Sequence, residues 1–209
     1  MPPISVILVG EDAVTRAVGR RLLAYTCGSS VVVEREEPIR GGQIKQRIPQ
    51  FNALAAFQPV VMILDADTNC PVELLKSVLQ KQEKHPHFFL RIAKDEAESW
   101  LLADREGFAT YLRIPVSSIP FFQAEKKRFA EKGEITTPYK PSLFIMKELA
   151  PQSKNKELRT QLEVNGTAQK SKEYNVAMLP FVEQYWDIDN SLANSYTLRK
   201  AVAHLRTIV

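Results

Sequence analysis

The sequence predicts an α/β protein in which a mainly parallel sheet is flanked by helices and followed by a C-terminal helical extension. Apolar runs of strand length recur through the first half of the chain: ISVILV at 4–9, VVV at 31–33, VVMIL at 60–64 and FFLRIA at 88–93. Segments with apolar residues at helical spacing lie between them, and this alternation is the pattern of βαβ units with right-handed crossovers. Several of the runs are continuous rather than alternating, as strands covered on both faces require.

Each element follows from its own residues. The first strand ends at Gly10. The next stretch, Glu11 to Ala24, sets Val14, Val18, Leu22 and Leu23 at helical spacing with Arg16, Arg20 and Arg21 among them. After the valine strand, Gly41-Gly42 breaks the chain, and a helix is expected from Gln43 or Ile44 to Phe57, interrupted near Pro49. Pro59 leads into the third strand, which ends at Asp65. Beyond Cys70-Pro71 an amphipathic helix should turn Val72, Leu75, Val78 and Leu79 inward. After the fourth strand, Asp95 with Glu98 three residues on has the spacing of a capping box, for a helix running through Leu102.

From Ile114 the pattern changes. Pro115, Pro120, Pro138 and Pro141 punctuate the chain around a charged helix near Gln123 to Lys132, and Asn165-Gly166 signals a turn. Ser191 to Ile208 reads as one helix with Leu198, Val202 and Leu205 on its apolar side. The expected division is a sheet core over residues 1–112 and a mostly helical extension over 113–209.

Composition narrows the function classes. At 44% hydrophobic, the 209 residues can build a substantial core, which excludes disorder across the whole chain. No run approaches the roughly 20 apolar residues of a membrane span. The start, Met1-Pro2-Pro3, has no basic region of a secretory signal. A cytoplasmic location is therefore expected. Cys27 and Cys70 stand in no CxxC or Cys/His spacing, and His85, His87 and His204 form no ligand pattern, so zinc and disulfide scaffolds are not indicated. A net charge of +4 mildly favours an anionic partner.

The chemistry-bearing signal is acidic. In an open parallel sheet, functional groups gather beyond the carboxyl ends of the strands. Glu11 and Asp12 follow the first strand, Asp65-Ala66-Asp67 ends the third, and Asp95, Glu96 and Glu98 follow the fourth. Like charges brought together raise one another's pKa unless a cation lies among them. Hard oxygen ligands suit Mg2+ or Mn2+. Glu11, Asp12 and Asp95, taken singly, read first as helix caps. Asp65 and Asp67 are harder to explain that way. Glu96 and Glu98 stand two apart, so a regular helix would not turn both to one ligand.

Taken in order, these segments resemble the Toprim fold shared by topoisomerases, primases and nucleases of the overcoming-lysogenization-defect type. That pattern is a Glu after the first strand and an Asp-x-Asp after the third, here Glu11 and Asp65-Ala66-Asp67. More closely, the chain is similar to a family of unknown function within that group. The likeness lies in an E-x-E-x-W-L-L-A-D segment, Glu96 to Asp104, and in a late helix around Asn194-Ser195-Tyr196-Thr197-Leu198-Arg199. The first motif departs from the family's V-E-G-x-T-E-like form: Val9-Gly10-Glu11-Asp12-Ala13-Val14-Thr15 moves the glutamate by one place and lacks the second.

The resemblance implies a Mg2+-dependent (or Mn2+-dependent) nuclease or related phosphoryl-transfer protein. In it Asp65 and Asp67 hold the ion, Glu96 and Glu98 complete the site, and Glu11 is the general acid or base or a further ligand. It also implies a partner ATPase of the kind found in anti-phage defence systems. Lys126, Lys127 and Arg128 could hold a nucleic-acid backbone, although such a run reads more readily as a solvated helix face. Three other readings stand beside this one. ILVGED with a later strand-end Asp65 resembles a phosphoacceptor receiver domain, which needs a lysine on a fifth strand. LDADT locally resembles the Asp-x-Asp of a nucleotide-sugar glycosyltransferase. The departing first motif also suits a non-catalytic interaction module that keeps the fold.

Overall fold

The computed structural model describes residues 2–39, 43–67, 69–79, 82–120, 133–164 and 168–209. They divide into two compact units: one runs to Ala97 and takes back Lys200–Val209, and the other is Glu98–Arg199. The division falls before the expected boundary at 112, because the helices over 98–112 pack among the later helices.

The first unit holds the sheet. Strands β1 (Ile4–Gly10), β2 (Val31–Pro38), β3 (Val60–Asp65) and β4 (Phe88–Ala93) run parallel in the order β2-β1-β3-β4. All four were legible as apolar runs, and β4 has the expected bounds. β3, a central strand, is buried along its apolar residues. β2 lies at the edge and continues past its valines into Glu34-Arg35-Glu36-Glu37, with Val32 exposed. Charges on an edge strand discourage pairing with another chain.

Helices α1 (Ala13–Cys27), α2 (Gln43–Leu54) and α3 (Pro71–Val78) connect the strands. On one face Ile7, Val9, Val60, Met62, Leu64, Phe88 and Leu90 pack with Ile48 and Phe51 of α2 and Leu74 and Val78 of α3. Each such side chain withdrawn from water contributes about 1.5–3 kcal/mol. On the other face α1 approaches so closely that a Cβ at Gly19 would stand 2.6 Å from Leu8 Cδ1. The α3 reading needs one correction. The helix buries Leu74 and Val78, four apart on one face, and leaves Val72 62% exposed. Helix α2 continues through Pro49 rather than breaking there.

The second unit is helical: α4 (Glu98–Leu102), α5 (Arg105–Leu112), α6 (Pro141–Phe144), α7 (Lys156–Leu162), α8 (Tyr174–Pro180) and α9 (Ile188–Asn194), then the start of α10 (Tyr196–Leu205). Both α6 and α8 run on into wider π-type turns. Trp100, Phe108, Tyr174, Phe181 and Trp186 are fully buried here, with Phe108 and Phe181 edge to face at 4.8 Å. The single helix expected over 191–208 is two. Ser195 is extended (φ −135°, ψ 112°), and its Oγ accepts the Leu198 N–H as the cap of α10. No helix of the described residues is long and apolar enough to cross a membrane.

Candidate functional site

The strand order reverses between β1 and β3, so the carboxyl ends of this neighbouring pair mark the topological switch point of the sheet. Gly10 pairs with Ile63, which sets Glu11 level with the last residues of β3. Asp65 pairs with Ala93 at the end of β4. Acids at positions 11, 65, 67, 95 and 96 thus line one edge of the first unit.

The turns that carry them are tied together. Asp67 and Asp95 both take left-handed backbone, with φ 51° and 59°, a region Asp enters more readily than most residues. The Asp67 N–H donates to the Asp95 carbonyl at 2.7 Å, and the Ala66 N–H to Ala93 O at 3.0 Å. Asn69 donates to Ala66 O through its backbone and its side chain, both at 2.9 Å. This cross-bonding ties the Asp67 and Asp95 turns together. Burial pushes the Asp95 carboxyl up, Lys94 opposes that, and the neighbouring Glu96 and Asp67 charges add to it. Asp95 therefore does not cap α4, which begins at Glu98; it turns the chain instead.

Other expected residues have local partners. Asp65 Oδ1 accepts the Ala97 N–H at 2.9 Å. Asp12 caps α1, accepting from Thr15 N at 2.8 Å and Thr15 Oγ1 at 3.0 Å. At the end of β1, Arg16 Nε and Arg20 Nη1 both meet the Glu36 carboxylate, at 3.2 and 2.6 Å, and Arg16 Nη1 donates to Gly10 O. A Cβ at Gly10 would stand 3.0 Å from Arg16 Cγ. That close approach leaves little room for a side chain at position 10. Lys126, Lys127 and Arg128 lie outside the described residues.

Glu98 belongs to the second unit, where its buried carboxylate accepts the Tyr174 hydroxyl at 2.9 Å. The rest of that segment is also built into the helical unit. Trp100 Nε1 donates to Thr197 Oγ1 at 2.9 Å. Asp104 caps α5 by accepting the Gly107 N–H at 3.0 Å, and its other oxygen accepts the Asp187 N–H at 2.9 Å. Asn194 Nδ2 donates to Ala103 O at 2.9 Å. The 96–104 and 194–199 segments are thus hydrogen-bonded to each other. The buried Glu134 carboxylate joins them, accepting from Ser195 Oγ at 2.6 Å and Thr197 N at 2.8 Å. Sequence reasoning missed Glu134, because nothing local signals a partner about sixty residues ahead.

Among the described residues no three His, Cys, Asp or Glu side chains are placed to hold a metal ion together. The described residues therefore form no closed protein cage. Magnesium is commonly held by one or two carboxylates, with waters and substrate phosphates as its other ligands. Asp67 and Asp95, with Glu96 beside them, fit that open arrangement. The fold and this edge define an open parallel α/β domain with carboxylates at the ends of its strands. Comparison of the chain with protein-family models, with curated proteins and with solved structures finds no match.

Proposed function

We propose that this chain is a Toprim-like phosphoryl-transfer protein that cleaves nucleic acid with Mg2+ or Mn2+. The supporting observation is the acidic edge itself. Two carboxyl-bearing turns are bonded backbone to backbone, and the Asp95 carboxyl is disfavoured as an anion by burial and by its acidic neighbours. Asp67 and Asp95 would hold the ion and Glu96 would add charge beside it. Glu98, engaged by Tyr174, is left out of the set. When bound, such an ion supplies charge neutralisation at a phosphoryl oxygen and acidity to a bound water. Glu11, at the switch point, would take or return the proton. An ATPase partner belongs to the same reading through the family resemblance.

The test is cleavage of labelled DNA and RNA by the full chain with Mg2+, Mn2+ or a chelator. Metal-dependent cleavage lost in Asp67→Asn and in Asp95→Asn is the expected result. Cleavage that survives both substitutions or the chelator rules the reading out. One further observation favours a second reading, an interaction module that keeps the fold: Asp65, the leading ligand on sequence grounds, already accepts the Ala97 N–H. Absence of cleavage, together with no metal-dependent thermal stabilisation in the presence of oligonucleotide, selects that module. The receiver reading is not favoured, since Asp12 is taken up in capping α1 and the described sheet has four strands.

A further inference from the structure

On the sheet face covered by α1, the edge strand β4 carries a second charged group. Phe89 and Arg91 are two apart and so share a face. The Phe89 ring lies 5.2 Å from the ring of His204, near the end of α10. Lys84, just before β4, donates from Nζ to Phe88 O at 2.8 Å. Arg91 Nε and His204 Nδ1 are buried with no hydrogen-bond partner. None of the ion pairs among the described residues supplies a carboxylate to Arg91, Lys84 or His204.

The three groups feel one another. Burial, then the charges of Arg91 and Lys84, push the His204 imidazole down to about 4. Burial lowers the Arg91 guanidinium to about 10, and burial followed by Arg91 lowers Lys84. Removing a cation from water without a counter-charge is unfavourable, and a buried donor without an acceptor adds to the cost. Packing needs neither an arginine nor a histidine here, since an apolar side chain at position 91 or 204 would fill the same face.

We propose that Arg91, Lys84 and His204 form a binding site for a phosphate-class oxyanion. A tetrahedral oxyanion offers acceptors to the Arg91 fork and a charge to the Lys84 ammonium, and its own charge favours protonation of His204. Each of the three residues keeps part of its surface in solvent, from which a ligand approaches the buried Arg91 Nε and His204 Nδ1. The site shares no residue with the acidic edge and requires neither a metal nor cleavage.

The full chain in phosphate-free buffer is titrated with inorganic phosphate and, separately, with short single-stranded DNA and RNA. His204 ring resonances and the Tm are followed. A saturable His204 shift with a rise in Tm is expected. Arg91→Met should weaken phosphate binding roughly tenfold or more, as loss of a charge-assisted contact implies. The same variant should have a higher Tm than wild type without anion, which also shows that it folds. Lys84→Met should weaken binding without removing it. Saturation at lower concentration by oligonucleotide assigns the site to a nucleic-acid backbone. A response to phosphate alone assigns it to a small phosphate compound. Either supports the proposal. It is overturned if the His204 shift follows ionic strength equally with chloride, or if Arg91→Met leaves phosphate affinity unchanged.

Discussion

Asp104→Ala should destabilise the protein by about 2–4 kcal/mol, and the structure says where that cost arises. One carboxylate oxygen caps α5 through the Gly107 N–H and the other takes the Asp187 N–H. Loss of an N-cap costs about 0.5–2 kcal/mol, and loss of the hydrogen bond from the Asp187 N–H to a charged acceptor about 1.5–3 kcal/mol. Part is returned, because burial raises the Asp104 carboxyl and holding it ionised is itself unfavourable. For a chain of this size the net corresponds to a Tm lower by roughly 5–10 °C. Gly107 supplies an internal check. A Cβ there would lie 2.1 Å from Asp104 Oδ2, so Gly107→Ala should cost about 1–3 kcal/mol by overpacking. In the Asp104→Ala background the obstruction is gone, and alanine should stabilise the helix by up to about 1 kcal/mol. Denaturant unfolding of wild type, both single variants and the double variant would measure a coupling of roughly 2 kcal/mol or more. Additive effects, or Asp104→Ala within about 0.5 kcal/mol of wild type, the range of ordinary surface changes, would refute this account of the α5 cap.

Two further predictions concern pH. The Asp95 carboxyl is raised, so its native state favours the protonated form; its stabilising contribution is complete at low pH and is lost as pH rises through the native pKa. Asp95→Asn mimics that protonated form and tolerates the left-handed backbone, so it should be more stable than wild type at pH 7 by about 0.5–1 kcal/mol. The advantage should vanish in acid, and a variant equally advantaged at pH 3 and pH 7 would contradict the cause given. His204 has the opposite sense: its native pKa is depressed to about 4, so the stability it contributes is present above the unfolded value near 6.5 and lost as pH falls toward 4. His204→Gln should flatten the Tm profile between those limits in phosphate-free buffer; a profile as steep as that of wild type would place the titration elsewhere.

The acidic residues show how far local pattern carried the site. The Glu11, Asp65, Asp67 and Glu96 positions at strand ends were legible, since an apolar run followed by an acid locates a carboxyl edge without any knowledge of packing. Their partners were not. The Ala97 N–H that Asp65 accepts lies 32 positions on, and the Tyr174 hydroxyl that occupies Glu98 lies 76 positions on. The Glu96–Asp104 segment reads as one motif in sequence, yet Glu96 sits at the sheet edge while Glu98, Trp100 and Asp104 are built into the helical unit.

What the sequence determined by itself is the parallel α/β architecture and the position of each strand, because a strand covered by the protein on its faces needs a run of apolar residues that a short window of sequence records. The tertiary structure alone decided that the domain divides at Ala97, that α10 starts afresh after Ser195, and that the Phe89 ring packs on His204. Those outcomes depend on side chains far apart in the chain competing for the same hydrogen bonds and the same buried space. No local pattern of polarity encodes such competition.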